Sequence, residues 1–183
     1  MDAIELIKER RSVRKYTDQK VSRELMREIV ELSRWSPSWG NFQIARYTLV
    51  DDEDIIRKIA DSAVMSFSYN IKTLSTAKGV AILSYVKGKS GKLYSDDYST
   101  AKGRDWEVFD AGIACQTFSL AAHAKGVGTC IFGVFDGDVI SELVNLPEGE
   151  NVAAVITYGF EEGEHASPTP RKDVDEILRF IPA

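Results

Sequence analysis

Three side chains near the start of the chain, Arg10, Ser12 and Arg14, stand at a spacing of two. In extended backbone that spacing puts them on one face, two guanidiniums flanking a hydroxyl. Such a face suits a phosphate, because the guanidinium fork matches phosphate oxygens and each charge-assisted bond contributes about 1.5–3 kcal/mol. A second basic pair, Arg171-Lys172, follows Pro168 and Pro170 in a C-terminal third that is otherwise acidic, with three basic and eleven acidic side chains over 131–183. The prolines stiffen its approach, which suits it to closing the other side of the same anion. A solvated basic turn is the alternative for either motif taken alone.

Other chemistries lack their residues. Gly88-Lys89-Ser90 needs a glycine at position 83 to be a phosphate-binding P-loop, and Leu83 stands there. The run from Gly126 has Ile131 in place of the third glycine of a dinucleotide fingerprint. His123 and His165 are the only histidines and have no carboxylate or thiolate at ligand spacing, so no metal site is expected. There is no G-x-S-x-G, and Cys115 falls in an apolar helical stretch where a thiol is inert.

The elements that must position these residues follow from the rest of the 183-residue chain. Its 44% hydrophobic and 28% charged composition is that of a globular protein, read as a single domain over 1–183. A net charge of −5 argues against a nucleic-acid binder. No apolar run approaches a membrane span, the start has no secretory signal, and two cysteines outside any CxxC suit a reducing cytoplasm.

Helices are expected over about 2–10, with Ile4 and Ile7 inward, and from an N-cap at Ser22, with Leu25, Ile29 and Leu32 as the buried stripe. Residues 36–41 read as a loop, 46–50 as a strand, and Asp51 or Asp52 as the cap of the next helix. A helical piece around 69–76 leads to a buried strand at 79–86. Residues 87–104 read as a mobile surface excursion. A helix over 105–125, apolar on almost every side, belongs in the centre of the molecule or in a subunit interface, and Gly126 closes it. Strands at 127–133 and 151–160 flank a helix from Asp136, and a last helix starts at Asp173. The order indicates an α+β fold, a four- or five-stranded mixed sheet surrounded by helices.

ERRSVRKY at 9–16 and WSPSWGNFQ at 35–43 resemble the nitroreductase family of flavoproteins. The resemblance continues through WEVFDAGIACQTFSLAAHAKGVGTCIFGVFD at 106–136, LVNLPEGENVAAVITYG at 143–159 and SPTPRKDVDEILRF at 167–180. It implies non-covalent FMN at the interface of a homodimer, with hydride passing from NAD(P)H through flavin N5 to a nitroaromatic, quinone or similar electron-poor acceptor by a ping-pong sequence. Carried over, Arg10, Ser12 and Arg14 hold the phosphate, ribityl chain and pyrimidine edge, and Arg11 contributes through its backbone. Asn70 meets the polar edge of the isoalloxazine, and Phe132 and Gly133 bring a backbone N–H near N5. Ser36, Pro37, Ser38, Asn41 and Gln43 reach the flavin of the other subunit, while Arg171, with Lys172 beside it, closes on the phosphate. A cation such as Arg14 near N1 and O2 favours the reduced cofactor.

Two departures bear on the acceptor. The family's loop commonly continues from glutamine to proline and an aromatic, whereas Ile44 and Ala45 follow Gln43, and Trp39 replaces a small residue. Trp39 and Phe42 are therefore the candidate substrate-wall residues. Other chemistries on the same scaffold (reductive dehalogenation, flavin fragmentation, azoline oxidation) and a non-enzymatic flavin-binding module are the alternatives.

Overall fold

The computed structural model describes residues 2–181. The chain runs through α1 (Ala3–Glu9), α2 (Arg23–Ser33), a 3-10 turn at Trp39–Asn41, β1 (Ala45–Val50) and α3 (Glu53–Lys58). α3 passes into a π turn (Ile59–Ala63), followed by α4 (Ser68–Leu74), β2 (Gly79–Val86), α5 (Asp105–Ala124) and β3 (Gly128–Phe132). α6 (Gly137–Leu143), β4 (Glu150–Gly159) and α7 (Val174–Ile177) complete it. The helix starts follow their caps. The Ser22 hydroxyl accepts from Leu25 N–H, and Asp52 and Asp136 each accept two backbone N–H groups of the first turn that follows. Gly126, at φ +75°, ends α5 in a conformation that side chains resist.

The four strands lie in the order β1-β2-β4-β3, and all three pairings are antiparallel. The sequence suggested a mixed sheet. β2 and β3 do run the same way, but β4 lies between them and opposes both, so the parallel pair is split. Among the described residues, parallel pairing survives only as an isolated bridge between Ser12 and Thr129.

β2 is buried along both faces, which accounts for its unbroken apolar run. Ala81 and Leu83 face Ile29, Ala114, Phe118 and Ile156, beneath α2 and α5. Val80 and Ile82 face Ile56, Ile59, Leu74 and Val155, beneath α3, the π turn and α4. Each of the larger side chains, the Val, Leu, Ile and Phe, stabilises the fold by about 1.5–3 kcal/mol.

Two expected stripes turn out rotated. Ile4 and Ile7 are each 64% exposed, and α1 is too short to bury more than part of Leu6. In α2 the buried set is Met26, Ile29 and Ser33, the residues aimed at α5, while Leu32 lies on the flank at 43% exposure. The excursion at 87–104 is also less free than expected. Its first residues are anchored, with Gly88 N–H donating to the buried Glu107 carboxylate at 2.5 Å and Ser99 N–H to the Gly91 carbonyl at 2.7 Å.

Candidate active site

The segment carrying Arg10, Ser12 and Arg14 lies extended along the outer edge of β3. Val13 N–H donates to the Thr129 carbonyl at 2.9 Å, and the Val13 side chain turns inward to full burial. Position 128 must be glycine for this approach, since a Cβ there would stand 2.6 Å from Val13 Cγ2. Alternation then sends Ser12 and Arg14 to the opposite side from Val13.

Arg14 lines a cleft of about 470 Å³ together with Phe67, Tyr69, Asn70, Cys130, Ile131, Phe132, Gly133 and Val134. Four of the residues singled out in the sequence (Arg14, Asn70, Phe132 and Gly133) thus meet there. The end of β3, the start of α4 and the arginine segment each supply one wall. Arg10 and Ser12 do not line it, although the Arg10 and Arg14 charges both act on the Cys130 thiol. Burial pushes that thiol up, and the two cations pull it partly back.

The donors of this cleft are largely unspent. Asn70, 7% exposed, uses its amide N–H on the Val134 carbonyl at 2.9 Å, which leaves its oxygen without a protein donor among the described residues. Arg14 spends one N–H on the Ser12 carbonyl at 3.1 Å. Among the described residues, the Arg10 guanidinium, the Ser12 hydroxyl and the backbone N–H groups of Gly133 and Val134 have no protein acceptor. Arg11 differs. Its side chain donates through Nε and Nη1 to the Ala166, Lys8 and Arg10 carbonyls, so most of its guanidinium is committed within the chain.

A second cleft, of about 290 Å³, collects Ser36, Pro37, Ser38 and Gln43 with Ile44, Tyr47, Asp110 and Ala114. The two clefts share no lining residue. Here several polar groups bond within the turn. Ser38 Oγ accepts from Gln43 N–H at 2.9 Å, Ser36 Oγ donates to the Ser33 carbonyl at 2.6 Å, and Arg46 donates to the Gln43 carbonyl at 2.9 Å. Asn41 and Gln43 have positive φ, at 56° and 51°, which makes the turn a tight one. Trp39 stacks on Phe42 with ring centroids 5.7 Å apart and leans on Trp106 at 6.2 Å. Ile44, where the family pattern has proline, is buried against Tyr85 and Ala111.

Arg171 and Lys172 lie in an exposed tail, where Arg171 donates to Thr169 and to the Pro170 carbonyl. Neither lines the cleft that holds Arg14. The tail's root is held by a histidine. His165 sits between the Glu161 carboxylate at 2.6 Å and the Glu9 carbonyl at 2.8 Å, and both raise its pKa. His123 stacks on it with centroids 6.1 Å apart, and burial and the neighbouring cations lower its own pKa.

Residues 7–160 match the nitroreductase family. The chain belongs to that family. A Bacillus subtilis relative named as an NAD(P)H nitroreductase, MhqN, is 26% identical over 96% of this chain and 97% of its own. The 4-nitrobenzoate reductase of a Nocardioides strain is 24% identical over 96% and 88%. Among solved structures, a Streptococcus pneumoniae nitroreductase-family protein superposes with a TM-score of 0.83 at 21% identity, covering 97% of this chain and 99% of the other. An FMN-dependent nitroreductase from Clostridium difficile gives 0.77 at 22%, covering 97% and 98%. The expected nitroreductase-like α+β fold is therefore present, and the chain is an oxidoreductase of this family.

Within the nitroreductase frame, sequence reading passed over Phe67 and Tyr69. Their rings lie 5.6 Å apart on the wall of the first cleft. The signal was available in SFSYN, two aromatics at alternate positions running into Asn70.

Proposed function

We propose that the protein is an FMN-dependent NAD(P)H oxidoreductase that reduces nitroaromatic, quinone or similar electron-poor acceptors, working as a homodimer in the cytoplasm. The observation that carries this reading is the convergence of Arg14, Asn70, Phe132 and Gly133 on one cleft whose donors are unspent. A flavin mononucleotide fits that donor set, having one terminal phosphate, a polar pyrimidine edge and a flat apolar ring system. Bound there, FMN supplies a two-electron redox centre between nicotinamide and acceptor.

The chain's own residues do the rest. Arg10 and Ser12 offer a guanidinium fork and a hydroxyl to the phosphate and ribityl chain, and Arg171 with Lys172 adds charge from the tail. Arg14 places its cation against the pyrimidine edge, where negative charge gathers on reduction. Asn70, held by the Val134 carbonyl, presents its amide oxygen as an acceptor for a ring N–H. The free N–H groups of Gly133 and Val134 offer donors to a ring nitrogen without any side chain in the way. Phe67 and Tyr69 exclude water from the ring's apolar end.

Because one chain keeps its two clefts apart, we assign the turn carrying Ser36, Pro37, Ser38, Asn41 and Gln43 to the flavin of a second copy, with Trp39 and Phe42 as the acceptor wall. The exposed apolar side chains support that dimer. Ile4, Ile7, Val108 and Phe109 are 50–64% exposed on α1 and α5, two helices that touch each other. The test is direct. The purified protein should be yellow and release FMN on denaturation, and anaerobic NADH or NADPH should bleach it. Release of FAD, or no flavin at all, overturns the reading.

A further inference from the structure

A carboxylate sits on the buried face of α5, in its second turn. Asp110 is 3% exposed and has no cation within ion-pair distance among the described residues. Burying a carboxylate is expensive unless its oxygens are hydrogen-bonded. Both oxygens are used, and by different parts of the chain. Oδ1 accepts Trp39 N–H at 2.9 Å, and Oδ2 accepts the Ser90 hydroxyl at 2.5 Å. Ser90 is itself fully buried, although it belongs to the segment that departs from the sheet at Lys87. One carboxylate thus bridges the 36–43 turn and the 87–104 excursion.

The same two segments meet again on the aromatic side. Trp106 follows the excursion, leans on Trp39, and donates its indole N–H to Thr100 at 3.0 Å. The Lys102 ammonium lies 4.8 Å from both the Trp106 and Phe109 ring centroids. The excursion is therefore docked on the turn at two points, with Asp110 as the only one buried away from solvent. A carboxylate suits the role because it accepts only, so both donors must come to it.

We propose that Asp110 is a positioning residue for the acceptor side of the site. By receiving Trp39 N–H and the Ser90 hydroxyl together, it couples the turn to the excursion, and the order of one sets the shape of the aromatic wall that the other completes. The acceptors selected are planar aromatics that match the spacing of Trp39, Phe42 and Trp106. This rests on the reading that the turn covers a flavin.

The experiment compares Ser90→Ala, Asp110→Ala and Asp110→Asn in the flavin-loaded protein, with one nitroaromatic and one quinone as acceptors. Ser90→Ala leaves the turn's own residues intact, and it should speed amide hydrogen exchange over 36–43 as well as over 87–104. It should raise acceptor KM about ten-fold, the effect of one buried charge-assisted hydrogen bond, while the rate of flavin reduction by NAD(P)H stays unchanged. Asp110→Ala should do the same or fail to fold. Asp110→Asn should restore both readouts, since its amide oxygen accepts Trp39 N–H and its NH₂ donates to Ser90 Oγ. Faster exchange confined to 87–104, or an unchanged acceptor KM with flavin bound and reduced, overturns the proposal alone. A wild-type protein that nicotinamide does not reduce overturns the flavin reading and the acceptor role with it, and the exchange pattern still decides the coupling.

Discussion

The cleft beside β3 and the turn at 36–43 solve opposite problems. The first, with the arginine segment beside it, holds donors that have no protein partner among the described residues, namely Arg10, Ser12 and the N–H groups of Gly133 and Val134. The second has spent the Ser36 and Ser38 hydroxyl oxygens and the Gln43 backbone on itself and carries a stack of rings. A surface of the first kind recognises charge and hydrogen-bonding edges, at a cost the ligand must offset. A surface of the second kind recognises flatness and area. On the function we propose, cofactor affinity resides in the first region and acceptor choice in the second.

The largest expected effect breaks the comparison at its root, because on the proposed assembly the two regions form one site when two copies meet. Val108→Glu places a charge on the exposed apolar face of α5 and should leave a folded monomer by light scattering, without bound flavin. A dimer that persists and stays yellow would move the interface elsewhere. Next comes Arg10→Ala, which removes a charge-assisted contact and should weaken FMN by about 2 kcal/mol, roughly thirty-fold in Kd by fluorescence titration. An unchanged Kd would return Arg10 to the solvated surface.

Trp39→Ala sharpens the division. It should raise acceptor KM about five-fold and alter acceptor ranking, with little change in flavin reduction by NAD(P)H in stopped-flow, since losing one aromatic contact is worth about 1 kcal/mol. Equal slowing of both half-reactions would make Trp39 plain packing.

The smallest effect concerns the tail root. The Glu161 carboxylate and the Glu9 carbonyl hold the His165 pKa above its ordinary value. The folded state therefore binds the proton more tightly than the unfolded one. The clasp's contribution is full below the free-histidine value and is lost as pH rises through the raised one. Being largely exposed, it is worth well under about 1 kcal/mol. His123, shifted the other way mainly by burial, contributes in the opposite sense and loses its share as pH falls. Glu161→Gln should lower the NMR titration midpoint of His165, and an unmoved midpoint would remove Glu161 from the clasp.

Much of this architecture was legible. Caps at Ser22, Asp52 and Asp136, the doubly buried β2 and the long apolar α5 follow from local rules of spacing and hydrogen bonding, and each formed within a residue or two of expectation. What failed was anything decided by facing. Ile4, Ile7 and Leu32 are apolar at helical spacing, yet which side of a short helix turns inward depends on neighbours far away in sequence. Asp110 and Glu107 escaped notice for a related reason. Acidic residues in the first turns of a helix read as solvated, and only the fold brings Trp39, Gly88 and Ser90 to them. Of the candidate site residues, Arg14, Asn70, Phe132 and Gly133 could be named from the sequence, and the fold brings these four to one cleft. Phe67 and Tyr69 also carried a local signal, two aromatics at alternate positions before Asn70, but only the fold sets them beside β3.

The contact between the arginine segment and β3 has a consequence beyond ligand binding. β3 is a terminal strand of the sheet, and the backbone from Ser12 to Val13 occupies its free side. An uncovered strand edge invites pairing with another molecule. The residues that we assign to the phosphate therefore also guard the protein against aggregation. A truncation removing the first fourteen residues should cost solubility as well as flavin, and added cofactor should not rescue it.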